Sequence, residues 1–216
     1  MKAGFEPWKD LGVGQLSTTE RRRSDTLLKF RAATAKKPVI AGLKGIEYVQ
    51  RAAEEGIRAC FYLTGNIFEL REVTKLCHEN GQLIFAHVDL INGIAKDSHG
   101  MMVLADEVQV DGILTTRSHL ITAAQKAGLL GIQRLFMLDS EALQTGLKML
   151  QTSNPDAVEL LPAPIMPHIA GRLPKKLPPI IAGGLVETAE ELQMILRPPV
   201  VAVSTSKMEL WSYRKE

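Results

Sequence analysis

The sequence predicts an α/β protein whose strands close into a parallel barrel. Eight short apolar runs, rich in β-branched residues, begin about 20 to 28 residues apart between residues 38 and 200. Helix-length stretches separate them, and this alternation is typical of a parallel sheet covered by helices. Eight units favour a closed barrel over an open flavodoxin-like sheet, which usually has fewer strands. The predicted architecture is a compact TIM-type (β/α)8 barrel with a basic N-terminal arm and helix.

Length and composition set the outer limits of this prediction. The chain has 216 residues, 45% of them hydrophobic, which suits one well-packed domain at residues 38–216 after an N-terminal segment at 1–37. There is no apolar run long enough to cross a membrane and no secretory signal, so we expect a cytoplasmic protein without a membrane partner. Cys60 and Cys77 have no metal-type spacing and are expected to be buried, reduced thiols.

The N-terminal segment is the most basic part of the chain. Residues 1–37 carry nine Lys or Arg and four Asp or Glu, whereas the remainder has a net charge of −3. Residues 1–16 show no clear period, and the Ser17–Glu20 spacing of a capping box predicts a helix from there to about Ala35. The basic residues could contact a polyanion or could form a solvated face. The candidates for a polyanion contact are Arg21, Arg22, Arg23, Lys36 and Lys37.

From residue 38 onward the elements follow in a regular order. The predicted strands begin at Pro38, Arg58, Leu83, Asp111, Gly131, Ala157, Pro179 and Val200. Glycine is expected just beyond the ends of helices because it adopts a left-handed backbone easily, and it occurs there at Gly56, Gly81 and Gly128. Ser118, Ser140 and Thr188 are the candidate N-caps. Only a brief helix fits between residues 165 and 173, before Pro174.

Two loops near the end of the chain indicate a phosphate site. The run at residues 179–185 ends in Gly183 and Gly184, and the run at 200–206 ends in Ser204, Thr205 and a further serine. Glycine lets backbone N–H groups approach an anion, and hydroxyls donate further hydrogen bonds. Barrels of this class bind phosphate after strands 7 and 8. Taken singly, each loop could be only a turn or a helix cap.

Polar residues at the carboxyl ends of other strands are the remaining candidates. A polar side chain inside an apolar strand is unfavourable unless it is paired, which is the reason to suspect a site. His87 with Asp89 could be an acid–base pair, half of a metal site, or a hydrogen-bonded layer of the barrel. Arg117 and Arg134 suit anions or carboxylates, and Glu159 could bind ligand hydroxyls or pair with Arg134.

Several kinds of chemistry have no support in the sequence. No HExxH, P-loop or CxxC motif occurs, and no lysine lies within a predicted strand to act as a Schiff-base nucleophile. We expect no bound metal and no cofactor, but the spacing of the residues does not decide whether the barrel also transforms its ligand. From the residues alone, the prediction is a barrel that binds a small phosphorylated polyol.

Six motifs in register resemble those of the glycerol-3-phosphate-responsive antiterminators. They are AHVDLINGI at 86–94, GILTTRS at 112–118, IQRLFMLD at 132–139, VELLP at 158–162, AGGL at 182–185 and VSTS at 203–206, followed by Leu210 and Trp211. The resemblance runs from about residue 38 to residue 211. It implies a TIM-type barrel, sn-glycerol 3-phosphate as the effector, and binding of an mRNA leader that prevents transcription termination.

The resemblance also assigns roles to residues. Gly183, Gly184, Ser204 and Thr205 would hold the phosphate. His87, Asp89, Arg117, Arg134 and Glu159 would face the glycerol moiety or brace the site. The resemblance implies no catalytic residue. Two alternatives stay open at this point: an enzyme acting on a small phosphorylated polyol by prenyl transfer or isomerisation, and a regulator that has lost RNA binding and acts through a protein partner. The protein could also form a homo-oligomer.

Overall fold

The computed structural model describes residues 16–214 and contains eight parallel strands alternating with helices. The strands are β1 Val39–Leu43, β2 Ala59–Tyr62, β3 Leu83–His87, β4 Gly112–Thr115, β5 Leu130–Phe136, β6 Ala157–Leu161, β7 Ile180–Gly183 and β8 Val200–Thr205. The helices are α1 Thr18–Lys36, α2 Glu47–Glu54, α3 Ile67–Glu79, α4 Ser98–Val103, α5 Ser118–Lys126, α6 Ser140–Ser153, α7 Met166–Ile169 and α8 Ala189–Ile195. A π-helical segment, Leu104–Val108, extends α4.

The strands close into a barrel in chain order. Each pairs in parallel with the next, and β8 returns to β1. This is the predicted (β/α)8 fold, with all eight predicted strands present. Because every strand runs the same way, the loops that follow them meet at one end of the barrel, where active and binding sites of this fold lie.

Alternate strand residues contribute to two separate apolar clusters. Ile40 belongs to the cluster inside the barrel, whereas its neighbours Val39 and Ala41 belong to the cluster between the barrel and its helices. A side-chain period of two produces this division. By the same alternation, His87, Arg134 and Glu159 lie at inward-facing positions near the carboxyl ends of β3, β5 and β6.

Helix α1 closes the amino-terminal end of the barrel. Phe30 is fully buried in the inner cluster, and its ring packs edge-on against Phe85 with 5.2 Å between centroids. Phe85 in turn packs against Phe61 at 5.8 Å. The predicted boundary after residue 37 divides the chain into α1 and the barrel. In the structure, however, α1 packs directly against the barrel. Residues 1–15 of the predicted arm, which spans residues 1–16, lie outside the described residues.

Most local signals in the sequence are confirmed, with two corrections. Ser17 and Glu20 form the predicted capping box of α1, and Gly56, Gly81 and Gly128 have positive φ angles at helix ends. Ser118 and Ser140 are not N-caps, however, because each is the first residue of its helix. Asp139 caps α6 instead, since its backbone is extended and its carboxylate accepts the Ala142 N–H at 2.7 Å.

Further sequence predictions concern the thiols and membrane insertion. Cys60 and Cys77 are both buried, as predicted, and neither forms a disulfide. Within residues 16–214, no helix combines the length and apolar character that a membrane span requires.

Candidate functional site

A cavity of about 280 Å³ opens at the carboxyl end of the barrel, between the loops after β7 and β8. These are neighbouring strands, with Gly183 paired to Ser204. The lining residues are Gly42, Phe61, Leu63, Arg134, Glu159, Leu161, Gly184, Leu185, Val186, Glu187, Ser204, Thr205, Ser206 and Lys207. The two loops that the sequence singled out therefore share one cavity of a size suited to a small ligand.

Glu159 is the centre of a buried polar network on the cavity wall. Its side chain is 1% exposed and accepts a hydrogen bond from Arg134 Nε at 2.5 Å. Ser204 Oγ donates to the other carboxylate oxygen at 2.5 Å. A buried carboxylate is tolerated when its charge is paired and its oxygens accept hydrogen bonds, and both conditions hold here. Of the two interpretations of Glu159, pairing with Arg134 is the contact present.

Gly183 lies behind this network rather than on the cavity surface. A Cβ atom at this position would come within 2.5 Å of Ser204 Oγ and 2.6 Å of Glu159 Oε1. Glycine is therefore required here to leave room for the Glu159 and Ser204 side chains. Gly184, the next residue, lines the cavity and is exposed.

The loop after β7 has an unusual backbone. Gly184 has a φ of 76° and Leu185 a φ of 58°, the second being uncommon for a residue with a side chain. Leu185 is also 70% exposed. A left-handed backbone at a residue with a side chain is strained, and such strain clusters at ligand-binding sites.

The loop after β8 brings a lysine to the cavity. The Lys207 backbone N–H donates to Thr205 Oγ1 at 3.1 Å, and its side chain extends to the loop after β7. Lys207 Nζ lies 2.6 Å from Glu187 Oε2. This hydrogen bond raises the pKa of Lys207, so the lysine is a cation at neutral pH.

His87 lies deeper in the barrel, beside Arg134. It is 3% exposed, and its Nδ1 has no hydrogen-bond partner among the described residues. Burial, reinforced by the nearby Arg134 cation, lowers the pKa of His87 to about 4. The imidazole is thus neutral near pH 7, and it is not among the residues that line the cavity.

Asp89 and Arg117 brace the ends of β3 and β4. The Asp89 carboxylate accepts hydrogen bonds from the Thr116 N–H at 2.8 Å and Thr115 Oγ1 at 3.0 Å. Arg117 Nε lies 3.3 Å from the same carboxylate. Because three neighbouring residues hold the Asp89 carboxylate, it is poorly placed to act as a free base. Among residues 16–214, no group of three or more His, Cys, Asp or Glu could hold a metal ion.

The basic candidates in and beside α1 divide into two groups. Arg23 pairs with Asp156 at 2.7 Å, Arg22 donates to the Ala105 carbonyl at 2.7 Å, and Lys37 Nζ donates to the Tyr213 carbonyl at 2.8 Å. Arg21 and Lys36 are exposed instead. Three of the five candidates therefore have structural partners within the chain, and Arg21 and Lys36 are the most exposed of the five.

Sequence reasoning missed several residues of the cavity. Gly42 within β1 leaves space beside the Ser206 backbone nitrogen, which would lie 3.3 Å from a Cβ there. A glycine inside a strand is a recognised sign of such close approach and could have been noticed. Lys207 follows the serine and threonine run directly. No local signal marks Glu187 or Phe61, because only the fold brings them to this site.

The fold and the cavity together define a (β/α)8 barrel with a small, charged binding cavity after its seventh and eighth strands. Sequence comparison gives the family: the model for the glycerol-3-phosphate responsive antiterminators matches residues 39–211. The chain belongs to this family. Helix α1 precedes the matched residues.

Two solved structures agree with this assignment, and one curated relative is similar in sequence. A glycerol uptake operon antiterminator-related protein from Thermotoga maritima is 31% identical, with a TM-score of 0.73 over 82% of this chain and 99% of its own. The glycerol uptake operon antiterminator regulatory protein from Listeria monocytogenes is 33% identical, with a TM-score of 0.75 over 82% and 95%. An uncharacterized protein of Escherichia coli, YgcP, is 33% identical over 83% of this chain and 94% of its own.

Proposed function

We propose that this protein is a cytoplasmic regulator that senses sn-glycerol 3-phosphate and binds an mRNA leader, preventing transcription termination of glycerol-uptake genes. The observation that carries the proposal is the shared cavity after β7 and β8, in a chain of the glycerol-3-phosphate responsive antiterminator family. The phosphate lies between the Gly184 and Thr205 loops, near Lys207. The polyol points toward Arg134 and Glu159.

The other candidate residues act behind the cavity wall. Gly183 and Ser204 maintain the position of Glu159, and His87 is a neutral, buried imidazole near Arg134. Asp89 and Arg117 hold the ends of β3 and β4. In this proposal the effector requires no catalytic residue, metal or cofactor, because binding alone shifts the population of an RNA-competent state.

A thermal-shift panel tests the effector. We expect glycerol 3-phosphate to stabilise the protein more than glycerol, inorganic phosphate or dihydroxyacetone phosphate, by about 2.7 kcal/mol at 100 times its dissociation constant. Lys207→Met should weaken this effect, whereas Lys148→Met, which removes an exposed lysine on α6, should not. Equal stabilisation by inorganic phosphate, or none by any compound, contradicts the proposal.

RNA binding requires a separate test. Arg21 and Lys36 are the exposed candidates on α1, so the double variant Arg21→Ala/Lys36→Ala should weaken leader RNA binding. For single-stranded RNA, the slope of log affinity against log salt should fall by about 0.7 for each phosphate that the variant no longer neutralises. Lys148→Ala is the matched control. An unchanged affinity and slope would exclude the helix as the RNA-binding element.

The enzyme alternative predicts turnover. Incubation with glycerol 3-phosphate, an allylic diphosphate and Mg²⁺ should give no product if the protein only senses its ligand. Product formation that is abolished in Asp89→Asn would favour prenyl transfer.

A further inference from the structure

Two cations line the cavity, and each already has a carboxylate partner. Arg134 pairs with Glu159 at 2.5 Å, and Lys207 pairs with Glu187 at 2.6 Å. All four residues line the cavity. Their formal charges cancel, so an entering phosphate meets no net positive charge until one carboxylate moves away.

The two carboxylates differ in their freedom to move. The Glu159 side chain is 1% exposed and is also bound by Ser204, so its release would leave a buried charge without a partner. The Glu187 side chain is 65% exposed and can turn into water with little change in its solvation. Exposed ion pairs are weak, so an anion can compete with Glu187 for Lys207.

We propose that Glu187 is an internal competitor for the anion site: it binds Lys207 when no anion is present and is displaced by the phosphate group. This inference rests on the proposed function, because it concerns the same cavity. Glu187 thereby sets the effector concentration at which the protein responds. Only the fraction of molecules with Lys207 free is competent to bind, and the apparent dissociation constant rises accordingly.

Glu187 lies just before α8, so displacement of its side chain can affect that helix. The Glu187 backbone N–H donates to Glu191 Oε2 at 2.8 Å, and Glu191 lies in the first turn of α8. Thr188, the next residue, caps the same helix. Release of the Glu187 side chain therefore changes the charge distribution at the start of α8.

Calorimetric titration of two anions tests the competition. In low salt, Glu187→Gln should tighten binding of glycerol 3-phosphate and of inorganic phosphate by the same factor, about two- to five-fold. The factor is shared because the competitor acts before either ligand binds. The control is Glu209→Gln, which removes an exposed charge that also acts on Lys207 without a hydrogen bond to it. We expect it to change both affinities by a smaller factor.

The outcomes separate this inference from the proposed function. If the wild type binds and Glu187→Gln binds no better, Glu187 has only a structural role, linking the loops after β7 and β8. The inference then fails, but the proposed function does not. An equal gain in Glu209→Gln also overturns it, since the effect is then general charge repulsion. Binding by Glu187→Gln but not by the wild type supports the inference. If neither protein binds either anion, the proposed function and the inference fail together.

Discussion

Arg23 of α1 and Asp156 at the amino end of β6 form a two-pronged ion pair. Arg23 Nη2 and Nε donate to Asp156 Oδ1 at 2.7 and 3.0 Å. The Asp156 side chain is 4% exposed and also accepts the Gly131 N–H at 2.9 Å. One carboxylate thus joins the N-terminal helix to β5 and β6, the strands that carry Arg134 and Glu159.

We expect Arg23→Ala to destabilise the protein by about 1–3 kcal/mol, because it leaves the Asp156 carboxylate buried with its cation removed. Arg21→Ala, an exposed arginine of the same helix, should change stability by less than about 0.5 kcal/mol. Urea unfolding of both variants measures the difference. Equal stabilities would show that the ion pair contributes nothing.

Phe30 gives a second test of the role of α1. Phe30→Ala should lower the free energy of unfolding by about 3–5 kcal/mol, since it removes a fully buried ring from the barrel interior. Leu28 is 61% exposed on the same helix, and Leu28→Ala should have a small effect. Thermal or urea unfolding compares the two. A Phe30 variant as stable as the Leu28 variant would contradict the packing of α1 against the barrel.

Gly183→Ala tests the space behind the cavity. The added methyl group would overlap Ser204 Oγ and Glu159 Oε1, and such overpacking destabilises by about 1–3 kcal/mol. Because the network forms the cavity wall, glycerol 3-phosphate binding should weaken as well. At Gly171 a Cβ meets no atom within 4 Å, so Gly171→Ala is the control. Wild-type stability in Gly183→Ala would refute the steric argument.

His87 predicts a dependence of stability on pH. Its pKa is lowered to about 4 by burial and by Arg134, against an ordinary value of about 6.5 in the unfolded chain. Between these values the unfolded state binds more protons, so stability is complete above pH 6.5 and falls as the pH drops toward 4. The destabilisation attributable to His87 should reach about 3 kcal/mol.

Unfolding in urea at pH 7.5, 6.5, 5.5 and 4.5 measures this dependence. His87→Gln should flatten the curve over the lower part of the range, because the titrating group is gone. His99→Gln, at an exposed histidine, should leave the curve unchanged. A curve as steep in His87→Gln as in the wild type would assign the effect to other groups.

The architecture was predictable because it depends on local patterns repeated along the chain. Apolar runs, the Ser17 capping box and Gly56 each act within a few residues, and eight repeats leave few possible topologies. The caps of α5 and α6 were less predictable. At α6 a serine follows an aspartate, and the backbone makes Asp139 the cap; at α5 the cap position is Arg117, whose side chain makes no capping hydrogen bond.

The candidate site was predictable to a smaller degree. Gly184, Ser204 and Thr205 line the cavity together. Gly183 instead leaves room for the side chains of Glu159 and Ser204. The basic residues of α1 show the same limit. Arg21 and Arg23 look alike in sequence, yet one is exposed and the other pairs with Asp156, more than a hundred residues away along the chain. Their role in RNA binding stays a prediction.

The amino-acid sequence by itself determined the barrel class, the family and the strand ends at which polar residues gather, because these follow from spacing along the chain. Only the tertiary structure decided which charges neutralise one another. Lys207 meets Glu187 and Arg134 meets Glu159 across neighbouring strands and loops, and such pairings depend on barrel closure and register. The charge available to a ligand is therefore a property of the folded chain.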